Sequence, residues 1–212
     1  MVDLSTKFKK REVSALIRAI EVISKLKEER AAVAFPRLGD PKNWRLLIFS
    51  DAAHANLNDG VSSMGAHLIF LVGENKTFCP LSWHAGKIKR VVRSTIAAEA
   101  LSLQEAFEDG FYTRQIIEDM MGIPVRTIPL IAYVDNKSVM EALHSTKHVE
   151  DKRLRLDIGA LRESLQRRDL NAVKWCPGTY QLANCMTKRG ASGYMLQGIL
   201  QSGQLTLDNW VI

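Results

Sequence analysis

The chain has 212 residues, enough for one domain with a full core and an appendage. It contains no apolar stretch of membrane length, and its lysine-rich start lacks the apolar core of a signal peptide. Its three cysteines lack CxxC spacing, which excludes a disulfide framework or zinc site and indicates a reducing, intracellular compartment. The net charge of +6 favours a polyanionic partner without establishing one, and no membrane partner is expected.

Residues 5–31 carry apolar side chains at spacings of three and four, which predicts one helix. We interpret the lysines and arginines on its other faces as a solvated surface. Breaker residues between Phe35 and Pro41 predict a linker. The sequence therefore predicts an N-terminal helical appendage over 1–43 and a domain over 44–212.

Beyond the linker, apolar runs and turn residues predict the order β-β-β-α-β-α-α-β-α. Glycine-containing turns separate the first three strands, which should form an antiparallel meander. A meander followed by alternating helices and strands gives an α/β fold, with helices on the faces of a five-stranded mixed sheet. The predicted strands are 44–52, 62–72, 76–84, 128–134 and 170–176, and the predicted helices are 94–121, 136–144, 151–168 and one from about Tyr180.

Three acidic residues stand at the mouths of two strands and on a helix. Asp51 ends the apolar run of the first strand, Asp135 ends that of the fourth, and Glu99 lies near the start of the long helix. If the first and fourth strands are neighbours at the sheet centre, Asp51 and Asp135 meet at a crevice below Glu99. Buried carboxylates need a neutralising charge, and one or two divalent cations supply it. This pattern indicates a metal-dependent nuclease.

Each of these residues also has an ordinary explanation when it is considered alone. Asp51 is then a turn residue at a strand end, Glu99 a solvated helix residue, and Asp135 a helix cap. The joint pattern favours the metal site over these three explanations.

Seven short motifs in a fixed order resemble the ribonuclease H domain of copia-type retrotransposon polyproteins. The resemblance covers roughly residues 43–192. Each motif is weak by itself, but their order and spacing together are specific. They are Ser50-Asp51-Ala52, Asp59-Gly60-Val61-Ser62, Ser82 to Lys87, Ser94 to Glu99, Asp135-Asn136-Lys137-Ser138, Lys152 to Ile158, and Gln181 to Lys188.

The resemblance implies a ribonuclease H-like fold and hydrolysis of the RNA strand of RNA–DNA hybrids. It implies two Mg²⁺ ions, replaceable by Mn²⁺, with Asp51, Glu99 and Asp135 as ligands. One ion would activate the attacking water and the other would stabilise the leaving 3′-oxygen. Residues 1–43 would be the end of a preceding reverse transcriptase, which makes that domain of the same polyprotein a partner. The implied location is the cytoplasm and its virus-like particles.

Two departures from the family pattern stand out. The fourth carboxylate of the family falls on Asn184, where a neutral amide is a poorer ligand for a hard cation. Its carbonyl oxygen is still able to hold a metal-bound water. The loop 176–180 contains no histidine, although many ribonucleases H have one there. The first departure predicts weakened cleavage, and the second leaves proton transfer or product release without an assigned residue.

Basic side chains cluster just before the Glu99 helix and are followed by two hydroxyl residues. Lysine, arginine and backbone N–H groups at helix starts bind phosphates, so we interpret this loop as a phosphate clamp, with a solvated loop as the alternative. Two polar residues after Asp135 are expected to face the minor groove, where 2′-hydroxyls distinguish RNA from DNA. The predicted nucleic-acid-binding residues are Lys87, Lys89, Arg90, Arg93, Ser94, Asn136 and Ser138.

Two further expectations concern packing. The four tryptophans lie in or beside predicted strands and are expected in the core rather than as base-stacking platforms. Asp157 lies beside the apolar face of its helix and is expected to make a structural salt bridge or hydrogen bond.

Two alternatives stand beside the nuclease. One is a catalytically impaired module that binds hybrid or structured RNA without cutting it, which Asn184 favours. The other is a domain that mainly supports the polymerase, which the basic helix 5–31 favours.

Overall fold

The computed structural model describes residues 13–28, 32–57, 59–145 and 149–205. Helix α1 (Val13–Glu28) falls inside the helix predicted over 5–31, whose two ends lie outside the described residues. Its apolar stripe faces outward, since Val13, Ile17 and Ile20 are each more than half exposed. Of the described helices, none combines the length and the apolar character needed to cross a bilayer.

Five strands form one mixed sheet in the order β3-β2-β1-β4-β5. The first three pair antiparallel, whereas β4 pairs parallel with β1 and with β5. This topology confirms the predicted five-stranded mixed sheet with β1 and β4 side by side. The strands are β1 (Arg45–Ala53), β2 (Met64–Val72), β3 (Phe78–Lys87), β4 (Leu130–Val134) and β5 (Ala172–Trp175).

Helices cover both faces of the sheet. Helices α2 (Thr95–Met121), α3 (Lys137–His144) and α4 (Lys152–Gln166) bury their apolar sides on one face. Helix α2 approaches β1 closely because Gly110 has no side chain: a Cβ there would come within 2.5 Å of Ile48 Cδ1. This close approach fixes α2, and therefore its first turns, over the middle of the sheet.

The other face is covered by the C-terminal part of the chain. A single predicted helix from about Tyr180 is wrong. Helix α5 (Asn184–Thr187) is one turn long, and α6 (Tyr194–Ser202) begins after a break. Gly190 has a φ of +77°, a conformation that glycine adopts without strain, and it ends the first segment.

The segment predicted to be a linker packs on the domain. The Ala34 N–H donates to the Leu200 carbonyl at 2.8 Å, and the Glu74 N–H donates to the Leu38 carbonyl at 3.0 Å. The Leu38 side chain is buried in the core. The boundary near residue 43 stays a prediction, but residues before it contribute to the packing of the sheet.

Candidate metal centre

Asp51 lies inside β1 and not in a turn. Strand β1 continues to Ala53, and the Asp51 side chain is fully buried. The parallel register pairs Phe49 with Tyr133, so that Asp51, two residues further, is level with Asp135. The explanation of Asp51 as a strand-end turn residue is therefore wrong.

Glu99 lies in the second turn of α2 and is 3% exposed, so it is not a solvated helix residue. Its Oε2 atom is buried and has no hydrogen-bond partner among the described residues. Desolvation, followed by repulsion from Asp51 and Asp135, raises the pKa of Glu99 to about 9. A buried carboxylate of this kind is stabilised in its ionised form when a cation binds beside it.

Asp135 directly follows β4 and is partly buried. It is not the cap of the next helix: Asn136 caps α3 by accepting a hydrogen bond from the Val139 N–H at 3.2 Å. The indole N–H of Trp175 donates to the Asp135 carbonyl at 3.0 Å, which ties the end of β4 to β5. The Asp135 carboxylate is left to face Asp51 and Glu99.

The structure brings the three predicted carboxylates together. One oxygen from each of Asp51, Glu99 and Asp135 lies within 4.8 Å of the other two. Oxygens on opposite sides of one ion lie about 4.2 Å apart for Mg²⁺ and about 4.8 Å apart for Ca²⁺, given the usual bond lengths. The hard oxygen donors and the unpartnered Glu99 Oε2 fit a divalent cation. The cluster is thus compatible with divalent metal binding.

A lysine and a threonine after Asn184 contact the cluster. The Thr187 hydroxyl donates to Asp51 Oδ2, and the Lys188 ammonium donates to Asp51 Oδ1 at 3.2 Å. The same ammonium lies 3.6 Å from Asp135 Oδ2. Burial raises the pKa of Asp51 above its ordinary value, although Thr187 and Lys188 oppose the shift. Desolvation lowers the pKa of Lys188, but attraction to Asp51 and Asp135 outweighs it, so the net pKa is raised.

Asn184 lies at the edge of the cluster. Its amide Nδ2 donates to the Gly178 carbonyl at 2.6 Å, and its Oδ1 accepts a hydrogen bond from the Lys188 ammonium. A Cβ on Gly178 would lie 3.2 Å from Asp135 Oδ2, so the glycine leaves space beside that carboxylate. The structure thus places Asn184 near Asp135, with Lys188 between them.

Buried polar side chains hold the strand ends in place, and sequence reasoning gave them no role. The Gln181 amide donates to the Ser50 carbonyl at 3.0 Å and to the Tyr133 carbonyl at 3.1 Å, which ties β1 to β4. The Ser102 hydroxyl donates to the Asp51 carbonyl at 2.9 Å, which ties α2 to β1. Gln181 begins the last of the seven motifs and Ser102 interrupts the apolar side of α2, but neither signal identifies the partner of the side chain.

The predicted basic loop forms one wall of a pocket. A cavity of about 350 Å³ lies between residues 90–93 and the start of α4, and Arg90, Arg93, Lys152 and Arg153 line it. Asp151 is its acidic member and caps α4 through the Arg153 and Leu154 N–H groups. This pocket offers positive charge to an anion.

Two residues of the loop are already paired. Lys87 lies 3.3 Å from Asp59, and Arg90 forms an ion pair with Asp157. The second pair confirms the structural salt bridge predicted for Asp157. Lys89 and Arg93 are exposed.

The other predicted nucleic-acid-binding residues have local roles or are exposed. Ser94 caps α2 by accepting a hydrogen bond from the Ala97 N–H at 3.3 Å, and Ser138 is exposed at the start of α3.

The expectation that the tryptophans lie in the core is wrong for two of them. Trp83 is 69% exposed and Trp175 is 39% exposed. Both lie near sheet edges, where a large ring has neighbours on one side only. Trp44 packs against the core, and Trp210 lies outside the described residues.

No protein-family model matches the sequence, and no curated protein matches it. Among solved structures, RNase H1 from the halophilic archaeon Halobacterium salinarum NRC-1 is similar at 17% identity, covering 68% of this chain and 91% of that one, with a TM-score of 0.43.

Two further solved structures are similar to the chain. LC11-RNase H1, isolated from compost by a metagenomic approach and solved in complex with an RNA/DNA hybrid, is 13% identical, covering 68% of this chain and 94% of that one, with a TM-score of 0.47. The RNase H domain of prototype foamy virus is 14% identical, covering 76% and 95%, with a TM-score of 0.38. These identities and TM-scores do not establish a family or a function for this chain, so its proposed function is argued from its own residues.

Proposed function

We propose that the chain is a metal-dependent endonuclease that hydrolyses the RNA strand of RNA–DNA hybrids. The observation that carries this proposal is the convergence of Asp51, Glu99 and Asp135 within 4.8 Å at the end of two central strands. The order of the sequence motifs selects the hybrid as substrate among the polyanions that a basic protein binds. The proposed ion is Mg²⁺, with Mn²⁺ as a substitute, and the resemblance implies two ions.

The proposed roles of the residues follow from their positions. Asp51, Glu99 and Asp135 would hold the metal, and a bound metal would lower the pKa of a water molecule and offset charge at phosphorus. Thr187 fixes one oxygen of Asp51, and Gln181 fixes the strand ends. The carboxylates are therefore arranged before substrate arrives, as efficient catalysis requires.

In the same proposal, the basic pocket holds a phosphate of the nucleic-acid backbone at a distance from the cleavage point. Arg93 and Lys152 line the pocket and form none of the described salt bridges, although Arg93 also attracts Asp151, which lines the same pocket. Lys87, Lys89, Arg90 and Ser94 border the same loop, whereas Asn136 and Ser138 adjoin Asp135 and contact the minor groove. Phosphate contacts fix position and register without reading sequence.

The proposed context is the C-terminal part of a copia-type retrotransposon polyprotein. Residues 1–43 would then belong to the end of the reverse transcriptase, and 44–212 to the nuclease domain. The exposed apolar stripe of α1, including Val13, Ile17 and Ile20, suits a helix that packs against another domain. The partners are the hybrid and the reverse transcriptase domain, in the cytoplasm and its virus-like particles.

One observation favours the alternative of a binding module with little cleavage. Asn184 stands in place of a fourth carboxylate, and its Oδ1 is engaged by Lys188. A site with three carboxylates offers less negative charge to two dications than a site with four.

A nicking assay distinguishes these functions. The full chain is incubated with an end-labelled RNA–DNA hybrid in Mg²⁺ or Mn²⁺, beside the matched variant Asp51→Asn. We expect cleavage of the RNA strand in the hybrid but not of single-stranded RNA, and none with Asp51→Asn. Tight binding without cleavage in either ion would support the binding module, and the absence of both would overturn the proposal.

A further inference from the structure

Lys188 reaches from the surface into the carboxylate cluster. Its ammonium lies 3.2 Å from Asp51 Oδ1 and 3.6 Å from Asp135 Oδ2, and it donates to Asn184 Oδ1. The side chain is 43% exposed, and its charged end faces the two carboxylates. A positive charge of this chain thus contacts two of the three carboxylates that form the candidate metal centre.

The charges of the cluster distinguish one ion from two. Asp51, Glu99 and Asp135 carry three negative charges when all are ionised. In the chain without nucleic acid, one dication and the Lys188 ammonium together neutralise these charges, whereas two dications and the ammonium leave an excess of two positive charges. Like charges a few ångströms apart in a partly buried site repel strongly. A second dication is therefore disfavoured as long as Lys188 stays in place.

Asn184 fits the ammonium better than it fits a second ion. Its Nδ2 donates to the Gly178 carbonyl at 2.6 Å, which turns Oδ1 toward Lys188. The amide oxygen accepts one hydrogen bond from the ammonium without adding charge. Asn184 is the first residue of α5, and Lys188 directly follows the helix. Their spacing of four residues, about one helical turn, places the two side chains next to each other.

We infer that the Lys188 ammonium takes the place of one of the two cations, so that the site binds a single divalent ion beside a tethered positive charge. This inference rests on the proposed function and changes the number of bound ions from two to one. Lys188 is then a positioning residue, since its positive charge offsets part of the negative charge of Asp51 and Asp135. The single ion would be bound by Glu99 together with Asp51 and Asp135.

The experiment counts bound Mn²⁺ by electron paramagnetic resonance on the full chain. It is carried out on the free chain and with a hybrid whose RNA nucleotides carry 2′-O-methyl groups, which keeps the phosphates while slowing cleavage. The variants are Lys188→Met and, in case that variant folds poorly, Lys188→Gln. Lys42→Met is the matched control, because Lys42 is exposed before the start of β1, at the opposite end of that strand from Asp51.

We expect one Mn²⁺ per chain for the unmodified protein and for Lys42→Met, and two for the Lys188 variants with the hybrid bound. Two ions in the unmodified protein would overturn the inference, and so would a single ion in every variant, since Lys188 would then not limit the count. The absence of Mn²⁺ binding in all variants would instead overturn the proposed metal-dependent function. The two failures are therefore distinguishable.

Discussion

Asn184 presents a neutral amide where a carboxylate would add a fourth negative charge beside Asp135. Its position was predicted from the sequence motif, but its partner was not. The contact with Lys188 depends on an electrostatic attraction among side chains from three elements, and periodicity carries no information about such an attraction. The four-residue spacing between Asn184 and Lys188 was the one available signal.

Restoring the carboxylate should raise cleavage. For Asn184→Asp we expect at least a tenfold faster rate in Mg²⁺, because the added charge strengthens cation binding and about 1.36 kcal/mol of transition-state stabilisation is tenfold in rate. The gain should be smaller in Mn²⁺, which accepts nitrogen and oxygen ligands more readily. Single-turnover cleavage of a labelled hybrid measures both rates.

The control for this change is Asn75→Asp, which alters the charge equally in the turn between β2 and β3, at the end of the sheet away from Asp51. It should leave the rate unchanged. Equal rates for Asn184→Asp and the unmodified chain would show that Asn184 does not act on the metal centre.

At the scale of elements, the strands and long helices follow from local patterns. Continuous apolar runs predicted β1 and β4, and apolar spacing predicted α2, whose start the structure shows to be capped by Ser94. The prediction of one last helix was wrong because the segment between α5 and α6 is polar and rich in glycine, and Gly190 turns the chain there with a φ of +77°. The carboxylates of the site could be predicted, since Asp51 lies in β1, Asp135 follows β4, and these two strands pair. The contacts of Gln181, Thr187 and Lys188 with the site could not, because they form only when the C-terminal segment packs on the sheet.

The loop between β3 and α2 is the element on which nucleic-acid affinity should depend. We expect the triple variant Lys87→Ala, Lys89→Ala, Arg90→Ala to bind hybrids of any sequence more weakly. The slope of log affinity against log salt should flatten by about 0.9 for each phosphate that the variant no longer neutralises, because fewer counterions are released. Fluorescence anisotropy over a salt series measures affinity and slope together.

A matched triple variant in α1, Arg18→Ala, Lys25→Ala, Lys27→Ala, removes the same charge from a solvated helix and should leave the slope unchanged. Arg90→Ala also removes the partner of Asp157, which is 14% exposed, so melting temperatures are measured alongside. Unchanged affinity and slope in the loop variant would show that the loop is not the phosphate clamp.

At the scale of the whole molecule, the chain buries acidic groups inside a protein of net charge +6. Glu99 and Asp51 both have pKa values raised first by desolvation. A carboxyl whose pKa is higher in the folded state binds more protons there than in the unfolded state. Its contribution to stability is complete below the unfolded pKa and is lost as the pH rises toward the folded pKa. For Glu99 that window runs from its unperturbed value of 4.5 to about 9.

The metal-free protein should therefore lose stability between pH 6 and pH 8. Glu99 contributes a loss on the order of 1 kcal/mol per pH unit in this window, and each kcal/mol lowers the melting temperature by about 2–4 °C in a protein of this size. Bound Mg²⁺ needs the ionised carboxylate, so it should raise the melting temperature more at pH 8 than at pH 6.

Melting curves by circular dichroism, with EDTA or with Mg²⁺ at both pH values, measure the difference. Glu99→Gln keeps the side-chain volume without the titration and isolates this residue from the other groups that titrate. If the metal-free protein and Glu99→Gln show the same dependence on pH, Glu99 is not the buried acid that the metal ionises.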